Sequence, residues 1–199
     1  SNLDNTVVGA DFKYTNTRFA GGRLLEGEAW VQKSDTEGLT GDDAAWGFRL
    51  RSPTNTGWYG GLGLKHLEEN FNPALGYVNR RGVNDQTAEL GYTKRRPGKA
   101  IQTLRSGFDI QQFDGIDSGD IESRTITWRA IEAFTPLNDQ LKLFYIKSTE
   151  VLEQPFEISD GVFVPVSRYD WDEVQLQLEG SANRKVSGSL TLSTGDFYT

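Results

Sequence analysis

No cysteine occurs in the chain, which removes disulfide frameworks, thiolate metal sites and cysteine nucleophiles at once. Its absence fits an exported bacterial protein and a cytosolic one equally, so it fixes no compartment. Histidine is almost missing too, since His66 stands alone. A metal site there would need an all-carboxylate partner set. A Ser-His-Asp triad would have to use it with no G-x-S-x-G elbow anywhere in the sequence. A serine hydrolase is therefore excluded, and His66 reads as a polar residue at a strand end. Nowhere do roughly 18 apolar residues run together, so no transmembrane helix is expected. There is no excess of positive charge either: 28 acids outnumber 21 Lys and Arg, for a net charge of -7. The basic residues are scattered, and an acidic chain of this kind repels nucleic-acid phosphates.

What the chain does have is aromatic residues, 12% of the total, and 22 glycines among 199 residues. That pairing is common in β-barrels with aromatic girdles. Period-2 alternation dominates and no stripe of helical period appears. It predicts about ten strands, near 7–19, 23–33, 44–52, 58–67, 85–94, 101–113, 122–134, 140–151, 169–180 and 185–195. These are long for globular strands and suit a tilted membrane-crossing strand of about nine to eleven residues. Short connections ("AGGR", "PTNTG", "RRPGK", "PLND", "SANR") alternate with longer ones ("SDTEGLTGDD", 68–84, "DGIDSGD", 152–168). Tight turns at one end and long loops at the other are the arrangement of outer-membrane barrels.

Two registers separate cleanly. One carries Leu25, Gly27, Ala29, Val31, then Trp46, Phe48, Leu50, then Ala88, Leu90, Tyr92, and continues through Leu104, Ser106, Phe108, Ile110. It resumes with Val174, Leu176, Leu178 and with Val186, Gly188, Leu190, Leu192, and no charge interrupts it. The other register holds Glu26, Glu28, Arg49, Arg51, Glu89, Arg105, Asp109 and Arg129, the expected lining of a lumen, followed by Glu173, Gln175 and Gln177. A charge facing lipid near mid-bilayer costs about 2–4 kcal/mol, so a membrane barrel must show such a clean face. A soluble barrel or sandwich gives the same alternation with the apolar face turned inward.

Candidate sites lie in the loops. "EENFNPALGYVNRRG" (68–82) contributes Glu68, Glu69, Phe71, Tyr77, Arg80 and Arg81, and the apolar loop 152–171 contributes Phe156 and Phe163. Stacking aromatics and paired Arg and Glu groups suit a sugar, and Arg80 and Arg81 are placed to pair with Glu68 and Glu69. A glycoside hydrolase would need one of these acids and a second from Asp114, Asp117 or Asp120. "DGIDSGD" (114–120) has the look of a calcium loop but lacks the full ligand spacing, and reads as a polar turn. "KRRPGK" (94–99) reads as a basic hairpin tip. No motif implies a cofactor or a metal.

The segments Asn70–Arg81 ("NFNPALGYVNRR"), Phe156–Tyr169 and Arg184–Tyr198 resemble a bacterial β-rich, outer-membrane-barrel-like family. Its members typically follow an N-terminal carbohydrate-binding module of the family-9 type, and the chain is similar to their C-terminal part. The likeness covers the last two-thirds of the chain well and the first 60 residues in pattern only. It implies export in Gram-negative bacteria and a surface-polysaccharide or nutrient theme, and it carries over no activity and no sugar-binding residue.

The expectation is an all-β fold, an antiparallel up-and-down β-barrel or the open part of one, as a single domain over 1–199 and a piece of a longer protein. Its function would be non-enzymatic: a barrel module of the outer membrane that binds or passes a small molecule or glycan. The alternatives are a soluble periplasmic or surface barrel of lipocalin type with a lipophilic ligand, and a carbohydrate-active hydrolase using the loop carboxylates. Partners would be the lipid bilayer or a lipophilic or glycan small molecule, with edge-to-edge homodimerisation if free sheet edges remain.

Overall fold

The computed structural model describes all residues except 1–3, 74, 75, 77 and 197–199, with the backbone alone for Phe156. Ten strands form one antiparallel sheet: β1 (Asn5–Arg18), β2 (Arg23–Thr36), β3 (Ala44–Ser52), β4 (Gly57–Leu67), β5 (Val83–Arg95), β6 (Thr103–Gly115), β7 (Ile121–Phe134), β8 (Gln140–Val151), β11 (Arg168–Glu179) and β12 (Ser189–Gly195). A separate two-stranded hairpin, β9 (Phe156–Ser159) with β10 (Val162–Val164), interrupts the last long loop. The order in the sheet is sequential, β1 to β8 and then β11 and β12. β1 and β12 stand at its two ends, so the up-and-down meander is not closed into a barrel.

Alternation placed all ten strands, because β-branched and aromatic residues at every second position make a pleated strand the only conformation that sorts them. The last strand departs from the expectation. It begins at Ser189 because 180–188 forms the turn, with the Gly180 amide donating to Gly188 O at 2.8 Å. The connection after β1, Phe19–Gly22, takes left-handed backbone angles at Ala20 (φ 41°), Gly21 (87°) and Gly22 (91°), conformations that glycine adopts without a Cβ penalty.

The chain falls into two compact units: Ser1–Pro53 with Gly61–Ala88 and Gln112–Ile121, and Thr54–Gly60 with Glu89–Gln111 and Glu122–Thr199. In the first, ladder partners across β1, β2 and β3 share faces. One face carries the rows Ala10–Val31–Trp46, Phe12–Ala29–Phe48 and Tyr14–Gly27–Leu50; the other carries Lys13–Glu28–Arg49 and Thr15–Glu26–Arg51. In the second, β7, β8, β11 and β12 give the rows Trp128–Tyr145–Val174–Thr194, Ile131–Leu143–Leu176–Leu192 and Ala133–Leu141–Leu178–Leu190.

A bulge decides the last two of these. Strict alternation from Trp128 would send Ile131 to the polar face and Glu132 to the apolar one. The register shift between Arg129 and Ile131 inserts Ala130 as an extra residue and exchanges them. Ile131 is consequently exposed and Glu132 is buried.

Burial runs opposite to that of a water-soluble sheet. Apolar-register side chains are the exposed ones: Phe12 65%, Trp58 58%, Leu90 56% and Phe108 55%. The buried side chains are largely polar, among them Ser34, Asp85, Thr93, Glu132 and Thr149. Among the described residues, the buried apolar side chains are Ala45, Phe71, Val83 and Val164.

Candidate functional site: the polar face of the sheet

In the first unit, the strand ends and the loop 68–82 build one hydrogen-bonded cluster. Glu68 leaves β4 with its amide donating to Ala44 O at 3.1 Å, while its carboxylate accepts from the Ala44 amide at 2.7 Å. Asn70 donates through its amide to Asp42 O and through Nδ2 to Gly41 O, both at 2.8 Å. The Asn72 amide donates to Ser34 Oγ at 3.0 Å, and Asn5 Nδ2 donates to Asn72 O at 3.0 Å. Ser34 lies on the polar face of β2, so these bonds draw the loop over that face and seat Phe71, only 2% exposed. Phe71 thus packs the loop and presents no ring for stacking.

The same unit holds Lys65 Nζ 2.9 Å from Asp85 Oδ2, with Asp85 buried. Glu26 and Arg51 form an ion pair at 2.6 Å, and Glu28 and Arg49 are direct ladder partners beside it. His66, on the penultimate position of β4, stacks on Trp46 with centroids 5.3 Å apart. Its Nδ1 is 2.8 Å from Asn84 Oδ1, and its Nε2 is 3.8 Å from Glu68 Oε1. Arg80 lies over the Phe113 ring at 4.8 Å. Glu68 is therefore turned towards Ala44 and His66, while Glu69 Oε2 lies against Gly82. In the 114–120 turn, Asp114 accepts from Gln86 and Gln112, and the Gly119 amide bonds Gly115 O at 2.9 Å. Those bonds tie the turn to itself and to β5, and no cluster of three or more metal-ligating side chains occurs among the described residues. Tyr77 lies outside the described residues.

In the second unit, the polar face is organised around Tyr59 of β4. The guanidinium groups of Arg105 and Arg129 stand 5.6 and 5.7 Å from its ring centre. Glycine makes room for them. A Cβ at Gly91 would run into the Tyr59 ring and hydroxyl, and one at Gly107 would reach Arg129 Nη2 at 3.1 Å. Arg129 Nε approaches Asp109 Oδ2 at 2.9 Å, although its N–H does not point along the contact. Arg105 Nε donates to Thr93 Oγ1 at 3.3 Å, and Thr93 is buried.

The Tyr59 hydroxyl, Arg129 Nη2 and Glu132 Oε2 are buried with no protein partner. Such atoms are costly in a dry interior and are found where water or a solute meets them.

Of the expected lumen residues, Glu89, Arg105, Asp109 and Arg129 gather here, and Glu26, Glu28, Arg49 and Arg51 gather in the first unit. Tyr59, Thr93 and Glu132 belong to the site without having been expected. Tyr59 reads in sequence as a strand-end aromatic, and Glu132 falls in the wrong phase until the bulge is seen. Phe163 is 57% exposed on the β9–β10 hairpin, and the Phe156 side chain lies outside the described atoms.

Comparison with protein families, with curated proteins and with solved structures gave no match.

Proposed function

We propose that this chain is a wall of an outer-membrane β-barrel in a Gram-negative bacterium. Its apolar register meets lipid, and its polar register lines a lumen that binds or passes a small molecule or glycan. The observation that carries this reading is the inverted burial: large apolar side chains exposed in rows, and Asp85, Thr93 and Glu132 buried on the opposite face. Leaving one Val, Leu or Phe in water in place of burying it forfeits about 1.5–3 kcal/mol. Rows of them need a cover, and hydrocarbon supplies one without pairing any polar group.

The height of the band agrees. On β2 the apolar-face positions between Arg23 and Lys33 are uncharged, a span of about 33 Å along the strand and roughly 25 Å at barrel tilt. On β8 and β11 the band ends at Lys147 and Asp172, 3.9 Å apart, where a headgroup layer accommodates charge. The likeness of Asn70–Arg81 to the outer-membrane-barrel-like family supports the same assignment. A lipocalin-like barrel requires the apolar register to be the buried one, against the exposures of Leu90 and Phe108. A hydrolase requires two available carboxylates, whereas Glu68 is engaged with the Ala44 amide and Asp114 with two glutamines.

Light scattering tests the assignment. Diluted from denaturant, the chain is expected to aggregate in plain buffer and to become monodisperse in detergent. A monodisperse monomer in buffer would contradict it.

A further inference from the structure

We propose that the cavity at the tight turns of the second unit binds a small oxyanion, the carboxylate or phosphate group of a solute. This deepens the lumen reading and rests on it for the solute's access to the polar face. The cavity measures about 260 Å³ and lies between the connections 53–56, 96–102 and 135–139. Arg95 and Arg105 line it together with Asn55, Thr93, Gln102 and Thr103. No carboxylate is among its lining residues, in a chain whose net charge is -7. Two guanidinium groups, Arg105 half-buried and Arg95 exposed, with only neutral polar companions make a local positive pocket that favours an anion.

The neighbouring acids lie outside the cavity lining. Asp139, beside the lining residue Asn138, accepts from Arg184 Nε and Nη2 at 2.6 Å each, and from Thr135 Oγ1 at 2.7 Å and the Ser181 amide at 3.0 Å. Glu132 stands opposite Lys142 in the ladder and does not line the cavity.

Arg105 is the positioned half of the pair. Its Nε is fixed on Thr93 Oγ1 at 3.3 Å and its plane stands 5.6 Å from the Tyr59 ring centre. Its two terminal nitrogens meet no carboxylate within ion-pair distance among the described residues, and their fork matches the two oxygens of a carboxylate or phosphate. Arg95 is exposed and supplies the second charge, and Gln102 and Thr103 supply neutral donors. The volume, just below the usual range of small-molecule pockets, suits a group of monosaccharide size or smaller.

Calorimetric titration of the full chain, folded in a zwitterionic detergent at constant salt, tests the site with three probes: inorganic phosphate, glucuronate and glucose. Phosphate and glucuronate are expected to bind and glucose is not. Binding of glucuronate without phosphate would assign the site to carboxylated sugars, and the reverse to phosphorylated solutes. Arg95→Gln, a change at an exposed position, should weaken anion binding about tenfold or more, as loss of one charge-assisted contact does. Arg105→Gln should weaken it at least as much, and Arg105→Lys, which keeps the charge and loses the fork, should fall between.

Glucose binding as tightly as glucuronate would overturn the proposal. So would anion affinity unchanged in Arg95→Gln, or the absence of anion binding altogether. Flotation of the same protein with phosphatidylcholine vesicles separates the two readings. Anion binding without flotation contradicts the membrane assignment alone, and flotation without anion binding contradicts this site alone.

Discussion

Gly91 and Tyr59 form a fitted pair on neighbouring strands: the ring occupies the space that any side chain at Gly91 would fill, and Ser106 O stands 2.8 Å from that position as well. Neither a stiff ring nor a backbone carbonyl yields cheaply. Gly91→Ala is expected to lower stability by about 1–3 kcal/mol, the usual cost of overpacking, read as a shift in the urea midpoint of detergent-folded protein. Tyr59→Phe removes a buried hydroxyl that has no protein partner and should change the midpoint by less than about 1 kcal/mol. A Gly91→Ala midpoint equal to that of the unmodified chain would mean that the ring is free to move aside. At this scale the sequence is only partly legible. Charges in the polar register declare themselves by position, as Arg105 and Asp109 do. Tyr59 is equally at home in an aromatic belt, and only its contact with Gly91, far along the chain, assigns it to the polar face.

Strands are the level at which alternation speaks most clearly, and the main strands appear where it puts them, the last one starting late at Ser189, because a pleated strand sorts the two residue types onto opposite faces. Two things escape it. The bulge at Ala130 reverses the phase of Ile131 and Glu132 with no local marker. The β9–β10 hairpin, turned at Gly161 (φ 76°), is too short to show a period. Connections carry predictions of their own. Phe71 anchors the 68–82 loop from a position 2% exposed. Phe71→Ala should cost about 3–5 kcal/mol and open that loop to protease, with cleavage between 68 and 82 read by mass spectrometry.

The turn after β7 is clipped to the β11–β12 turn by Asp139, whose carboxyl the Arg184 guanidinium and the Ser181 amide hold well below the usual carboxylate range. A depressed carboxylate contributes stability above its unfolded pKa and loses it as pH falls through the folded one. The unfolding midpoint should therefore drop from about pH 4 downward, and Arg184→Gln should flatten that drop. Parallel profiles for the two proteins would show that the clip is not coupled to folding.

Across the whole chain, the two registers are the central fact, and they were legible as registers long before either could be assigned to lipid or to solvent. Pattern has no sign: a face of Trp46, Phe48 and Leu50 alternating with Arg49 and Arg51 fits an inward or an outward apolar side equally. Exposure favours the outward apolar side, with Leu90 at 56% and Thr93 at 1% on one strand. Leu90→Arg places a charge where the account puts hydrocarbon and should cost about 2–4 kcal/mol of stability in lipid, with less effect in a polar-register exchange such as Glu89→Gln.

The five tryptophans test the account most directly, because ladder partners put Trp46 and Trp128 on the exposed apolar register and Trp30 and Trp171 on the polar one, while Trp58, 58% exposed and edge-on to Tyr92, joins the apolar set. Single-tryptophan variants, the other four changed to Phe, would be folded into vesicles of lipid brominated along the acyl chain. Strong fluorescence quenching is expected for Trp46, Trp58 and Trp128, and little for Trp30 and Trp171. Equal quenching of all five, or quenching of Trp30 and Trp171 alone, would contradict the assignment of the apolar face to lipid.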